Sequence, residues 1–438
     1  MRRILGLILG AALAATWPGR HNALAEQQVS LSDRIAALIE PQARADLFSG
    51  AVLVQRGDRV VFQQAYGFAS REPRIRNAVQ TRFGIGSITK PMTDAVVAGL
   101  VARHRIDPQA PVENYIPGFP RGPAGGKPTI DQLLKHTAGV PHRVTTEEEE
   151  TKPFRPADIV GRVKARGLLF EPGSRELYSS AGYTSLARVV EIVTGRPFGD
   201  VLIDDVFRPA RMTSAVSEAR PRGMRRLALP CVLRAGKTGP VAEAAPYKDL
   251  RFLAGAGSAY AAPSDLVGFV RKVREGGFGE ELRNWATAGE KDKWRGWYGR
   301  INGYEASLDL LPGQDLVLVM ESNLQSAANW QLRRRIQDLL LGRSVVPVPL
   351  PPARAAGFEP PADVVGLYGE RSDPVEVALR DGELQRDENQ IYPIAGEKYY
   401  IPVSGFTMVF RRRDGKVDAI VTTFADGNER VLPRLAGP

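Results

Sequence analysis

Only one cysteine, Cys231, occurs in the 438 residues, so no intramolecular disulfide can form. A lone thiol of this kind reads as a small buried apolar residue rather than a reactive one. Histidine is scarce as well. His21, His104, His136 and His142 fit no ligand spacing such as H-E-x-x-H, which argues against zinc, and nothing in the sequence implies another metal or a cofactor. No G-x-S-x-G elbow is present, so a Ser-His-Asp hydrolase is a poor reading. No run reaches the eighteen or so apolar residues that a membrane-crossing helix needs. The apolar stretch 4–17 follows Arg2 and Arg3 and precedes Ala23-Leu24-Ala25, the pattern of an export signal over residues 1–25. Cleaved, it implies a periplasmic or secreted protein with no stable membrane insertion; uncleaved, it is an anchor.

The chain is 43% hydrophobic, enough for a large core and more than one domain. Its net charge is +10, carried by scattered arginines with one short run at Arg333-Arg334-Arg335. No aromatic residues interleave a basic stripe, so this reads as a solvated basic surface and not as a nucleic-acid site. The acidic run 147–150 reads as a solvated loop.

Ser32 and Asp33 open an amphipathic helix to about Arg44. The β-rich runs 50–55 and 59–66, joined at Gly57-Asp58, predict a hairpin. A turn at 83–87 feeds an apolar helix over 92–101, and helical patterns recur at 130–136, 183–193, 264–273 and 325–341. Segments 304–311 and 316–321 read as adjacent strands around Pro312-Gly313. Helices around hairpin-linked strands imply an α+β fold, an antiparallel sheet flanked by helices. The prolines between Pro347 and Pro361 mark a stiff linker over 345–362, separating a domain at 26–344 from one at 363–438. In the latter, short β-rich runs are punctuated by Asp381-Gly382, Asp414-Gly415 and Asp426-Gly427, which predicts a small antiparallel barrel.

A serine hydroxyl needs an adjacent base to become a nucleophile. Residues three apart share one face of a helix, so Ser87 at a helix entrance presents its hydroxyl to the Lys90 amine. Free N–H groups at the helix start also point toward a developing oxyanion. Ser-x-x-Lys alone is a weak signal. Its setting is more informative: a glycine-flanked turn precedes it and an apolar helix follows.

The stretch Phe83-Gly84-Ile85-Gly86-Ser87-Ile88-Thr89-Lys90, the segment from Thr129 to Pro141 that contains His136-Thr137-Ala138-Gly139, and Tyr178-Ser179-Ser180 after Glu171-Pro172-Gly173 resemble the serine β-lactamase and penicillin-binding protein superfamily. The resemblance, over about residues 30–343, is nearest its class C β-lactamase, D,D-peptidase and carboxylesterase branch. It implies nucleophile Ser87, base Lys90 and Tyr178 as proton shuttle to the leaving group. Ser180 stands where the family has asparagine, as a substrate-binding hydroxyl. The C-terminal 75 or so residues resemble lipocalin-like barrels appended to some members.

In the third family block, Lys-Thr-Gly or His-x-Gly reads the substrate carboxylate. Ala254-Gly255-Ala256-Gly257-Ser258-Ala259-Tyr260 with Asp265 resembles the family's glycine-rich segment before a helix; Lys237-Thr238-Gly239 precedes that segment instead of following it and reads as a loop coincidence. Counting back from Asn302-Gly303-Tyr304 places Trp297-Tyr298-Gly299 there, although Trp294-Arg295-Gly296 also fits the spacing. Trp297 and Gly299 are then substrate-binding, and the Arg300 amide joins the Ser87 amide in an oxyanion hole. Together these residues imply a serine hydrolase of esters or amides, acting on a small-molecule or peptidoglycan-derived substrate; the oligomeric state stays open. The rival is a catalytically silent receptor module, motivated by the altered Ser180 and Trp297 positions.

Overall fold

The computed structural model describes residues 30–217, 226–357, 359–371, 373–387, 389–424 and 427–436. The expected export signal, with Arg2, Arg3, His21 and Ala23-Leu24-Ala25, lies outside the described residues, as does Asp426. Among the described residues, no helix is long and apolar enough to cross a membrane.

The side-chain alternation of Gly50–Arg56 (β1) sends Ala51 and Leu53 to one face of a sheet and Val52 and Val54 to the other. β1 pairs with Arg59–Tyr66 (β2) across the expected turn, where Gly57 adopts φ 55°. Arg295–Ile301 (β3), Tyr304–Leu311 (β4) and Leu316–Ser322 (β5) complete an antiparallel sheet of order β3-β4-β5-β1-β2. β3 is therefore an edge strand, with one side of its backbone left open.

The helices in this part are Leu31–Arg44 (α1), Thr89–Ala102 (α2), Ile130–Leu134 (α3), Pro156–Arg166 (α4), Ser180–Thr194 (α5), Phe198–Leu202 (α6), Pro263–Arg274 (α7), Glu280–Thr287 (α8) and Ala327–Leu340 (α9). α1 and α9 cover one sheet face, with Ile35, Ile39, Leu332 and Ile336 buried against Val52, Val54 and Leu318. The other face meets α7, and the core that holds its Phe269 continues through Val96 of α2 and Leu186 of α5. Two helix starts differ from expectation because of their caps. Ser30 Oγ accepts from Asp33 N, so α1 opens at Leu31; Ser179 Oγ accepts from Gly182 N, so α5 opens at Ser180.

The acidic run is solvated, as its charge implied, at Glu147 and Glu148, but not at its end. Glu150 is completely buried, paired with Lys248 at 2.9 Å and Arg143 at 3.1 Å and accepting from Thr145 Oγ1. Two cations and a hydroxyl offset the desolvation of its carboxylate. Cys231 is buried in a strand, and burial pushes its thiol pKa up.

Beyond Pro361, strands Gly366–Glu370, Asp373–Arg380, Glu383–Arg386 and Asn389–Gln390 form one antiparallel sheet. A second holds Tyr392–Ile394, Lys398–Ile401, Phe406–Arg413, Lys416–Thr423 and Glu429–Pro433. The sheets meet at Ile391 and again at a Tyr368–Arg434 bridge, around a core that includes Tyr368, Val377, Tyr399, Met408 and Ile420. Asp381 and Asp414 take φ 53° and 52°, and the glycines after them are also positive, as two-residue hairpin turns require.

This C-terminal part packs on α9. Pro402 O accepts from Ala327 N at 3.1 Å, and Trp330 Nε1 donates to Ser404 O at 3.1 Å. The proline-rich segment is likewise packed: Val348 is buried against the α1 and α9 core, and its carbonyl accepts from Gln42 Nε2 at 2.8 Å.

Candidate active site

Gly86 holds φ 50°, a value that favours glycine, and turns the chain abruptly after strand Phe83–Gly84. A 3₁₀ turn at Gly86–Ile88 then delivers Ser87 to the mouth of α2. One turn on, Lys90 is 5% exposed, so its ammonium would have almost no access to water. Its Nζ lies 3.0 Å from Ala256 O, 3.3 Å from Ser87 Oγ and 3.4 Å from Ser180 Oγ. A neutral amine has two N–H donors and one lone pair. With Ala256 O and Ser180 Oγ taking the donors, the lone pair faces Ser87. Burial lowers the Lys90 pKa to about 7, opposed by the carboxylate of Asp94.

Tyr178 donates its hydroxyl to Ser87 Oγ at 2.7 Å, and the Lys90 ammonium position is 4.5 Å from its ring centroid. Two histidines hold this tyrosine in place. His136 Nδ1 accepts from Ser179 N at 3.1 Å, and His142 Nδ1 accepts from Ser180 N at 3.3 Å. Their rings stand 4.5 and 5.5 Å from that of Tyr178. With Nδ1 accepting, each neutral imidazole carries its proton on Nε2. Burial, with help from the Lys90 charge, lowers His136 to about 4 and lowers His142 as well. Burial also raises the Tyr178 pKa, so the phenol stays protonated at neutral pH.

The edge strand β3 forms the opposite wall. A β-carbon on Gly299 would stand 1.8 Å from Ile85 O and 3.0 Å from Ser87 N, and one on Gly86 would stand 2.8 Å from Arg300 N. The Gly299–Arg300 backbone therefore runs in contact with the Ser87 turn. Gly296 instead has the Asp309 side chain beside it, which favours the Trp297-Tyr298-Gly299 register over Trp294-Arg295-Gly296. Trp297 shares the Gly299 face and stacks on Trp285 of α8, with ring centroids 3.8 Å apart and planes inclined by 23°. Arg295 donates to Trp285 O and Arg333 is held by Asp309, whereas Arg300 lines the cavity with the Glu305 carboxyl nearby.

These walls enclose a cavity of about 770 Å³ lined by Ser87, Lys90, Tyr178, Ser180, Trp297, Gly299 and Arg300. Every residue singled out for the site in the sequence thus reaches one cleft. Lys237-Thr238-Gly239 does not; it is the turn between strands Cys231–Ala235 and Pro240–Ala244. His142, Asp94, Tyr183 and Trp285 also shape the cleft or its walls, and sequence reasoning had not picked them out. Asp94, at the helical spacing i+4 from Lys90, was the legible signal among these. Among the described residues, no group of histidine, cysteine and acidic side chains could hold a metal.

The family described as Beta-lactamase matches residues 34–341. Among curated proteins, the chain is 26% identical over 312 residues to the putative penicillin-binding protein PbpX of Bacillus subtilis, covering 67% of this chain and 75% of that one. It is 31% identical over 199 residues to esterase EstB of Burkholderia gladioli, covering 42% of this chain and 50% of that one. Other curated relatives are likewise spanned over half their length or less. A crystal structure of SurE superposes with TM-score 0.60 at 22% identity, covering 92% of this chain and 99% of that one.

Proposed function

This chain belongs to the β-lactamase family of serine hydrolases, and we propose that it cleaves esters or amides without a carboxylate beside the scissile bond, through an acyl-enzyme on Ser87. The observation that carries the reading is the Tyr178–Ser87–Lys90 contact, set in one cleft with Trp297, which the resemblance aligns with the family's cation position. Ser87 Oγ attacks the substrate carbonyl carbon while Lys90 takes its proton. The resulting oxyanion accepts from the Ser87 and Arg300 amides. The carbon–leaving-group bond breaks as the Tyr178 phenol supplies a proton, and the phenolate regains one from Lys90. Water then adds to the acyl carbon by the same proton route and releases the acid.

A charge-assisted hydrogen bond to a carboxylate contributes roughly 1.5–3 kcal/mol, which is tenfold or more in affinity. Without it, penicillins and D-alanyl-D-alanine peptides lose their anchor. The Trp285–Trp297 pair instead favours apolar or aromatic acyl groups. Trp297→Lys is expected to raise kcat/KM for a carboxylate-bearing penicillin at least about tenfold relative to that for an uncharged ester. Steady-state kinetics on both substrates read the ratio; an unchanged ratio assigns the specificity elsewhere.

The silent-receptor reading fits Ser180 and Trp297 but leaves the buried Lys90 without purpose, since burying an amine costs stability. We also assign residues 1–25 to a cleaved export signal, 26–344 to the hydrolase domain, 345–362 to the linker and 363–438 to a domain that braces α9 through Pro402 and Ser404. The substrate is accordingly a small molecule or cell-wall fragment met outside the cytoplasm.

A further inference from the structure

Asp94 lies one helical turn beyond Lys90 on α2, lines the same cavity, and takes no part in the steps above. Its Oδ1 accepts from the Tyr183 hydroxyl at 2.8 Å, and that hydroxyl also lies 3.1 Å from Leu134 O. The Tyr183 ring stands 5.5 Å from Lys90 Nζ and 5.1 Å from the His136 ring. Tyr183 therefore bridges the carboxyl and the base, touching both without an ion pair between them. The charged and titratable groups around Asp94 are Lys90 on its own helix, Tyr183 of α5, Glu281 of α8 and, beyond Tyr183, His136.

Resting on the reading of Lys90 as base, we propose that Asp94 is a positioning residue whose charge state is coupled to that of Lys90 across Tyr183 and so sets the pH range in which Ser87 is activated. An ionised Asp94 favours the ammonium, which is the inactive form of the base. A protonated Asp94 removes that pull and leaves the amine free. Burial raises the Asp94 pKa to about 7, assisted by Glu281 and opposed by the Tyr183 hydrogen bond and by Lys90. The carboxyl and the amine thus titrate over the same interval. Two opposite charges that attract each other spread their two protonation steps apart. The acid limb of the wild-type pH–rate profile is therefore expected to be broader than a single titration.

Asn at position 94 keeps an acceptor for Tyr183 and removes the charge. Asp94→Asn is expected to move the acid limb of kcat/KM to lower pH by about one unit and to narrow it to a one-proton curve. Tyr183→Phe removes the hydrogen bond that favours the ionised carboxyl, so it moves the limb the same way by less. This second variant preserves the test should the first fold poorly. A limb that stays in place, or moves upward, in both variants overturns the proposal while leaving Lys90 as base. A wild-type profile without any acid limb near neutrality, together with unimpaired Lys90→Ala, overturns the reading beneath it.

Discussion

Lys90→Met is expected to lower kcat/KM for a simple ester at pH 7 by about 10²–10⁴-fold and, at the same time, to raise the melting temperature. The two effects have one cause. A lysine whose folded pKa is lowered to about 7 binds fewer protons folded than unfolded across pH 7 to 10.5. Folding stability therefore rises with pH through that window, and at pH 7 the buried amine costs on the order of 4 kcal/mol. Methionine fills similar space without the desolvation penalty. It leaves Ala256 O without its donor, which returns about 1–3 kcal/mol of the gain. Melts of both proteins at pH 7 and pH 10 check the sign: the variant is more stable at pH 7, and its advantage shrinks toward pH 10. Equal melting temperatures at pH 7 would mean that Lys90 is not a strained base.

Tyr178→Phe should divide substrates by leaving group. The phenol is 2.7 Å from Ser87 Oγ and is kept protonated by burial, so its task is to hand a proton to the departing atom. An amide or alkyl ester expels a strongly basic group and is expected to lose about 10²-fold or more in kcat. A nitrophenyl ester expels an anion that needs no proton and should lose far less. The His136 and His142 contacts to the Ser179 and Ser180 amides hold the neighbouring backbone regardless of residue 178, so the variant should retain its fold. A uniform loss across leaving groups would reduce Tyr178 to a packing role.

Much of this site was legible in the chain because its parts obey local rules. The Ser87 and Lys90 juxtaposition follows from helical spacing, the β1–β2 hairpin from alternation, and the C-terminal turns from Asp-Gly pairs. What was not legible depends on distant partners. Glu150 reads as solvated until Lys248, almost a hundred residues on, supplies its counter-charge. His136 and His142 look like ordinary packing residues; the tertiary contact to the start of α5 makes them the supports of Tyr178. Trp285 belongs to α8, whose exposed and charged face hid its helical pattern, and only the fold shows that it backs Trp297. The C-terminal strands form two sheets meeting at Ile391 and at the Tyr368–Arg434 bridge, an arrangement that no single segment encodes.

A fluorophosphonate forms a stable bond with an activated serine oxygen and with few other groups. Intact-mass measurement after such treatment, followed by peptide mapping, is the most direct trial of the chemistry placed here. One adduct per chain on the peptide containing Ser87, absent in Ser87→Ala and slowed at least about a hundredfold in Lys90→Met, is the outcome expected. An adduct on another residue, or identical labelling of wild type and Ser87→Ala, would contradict it.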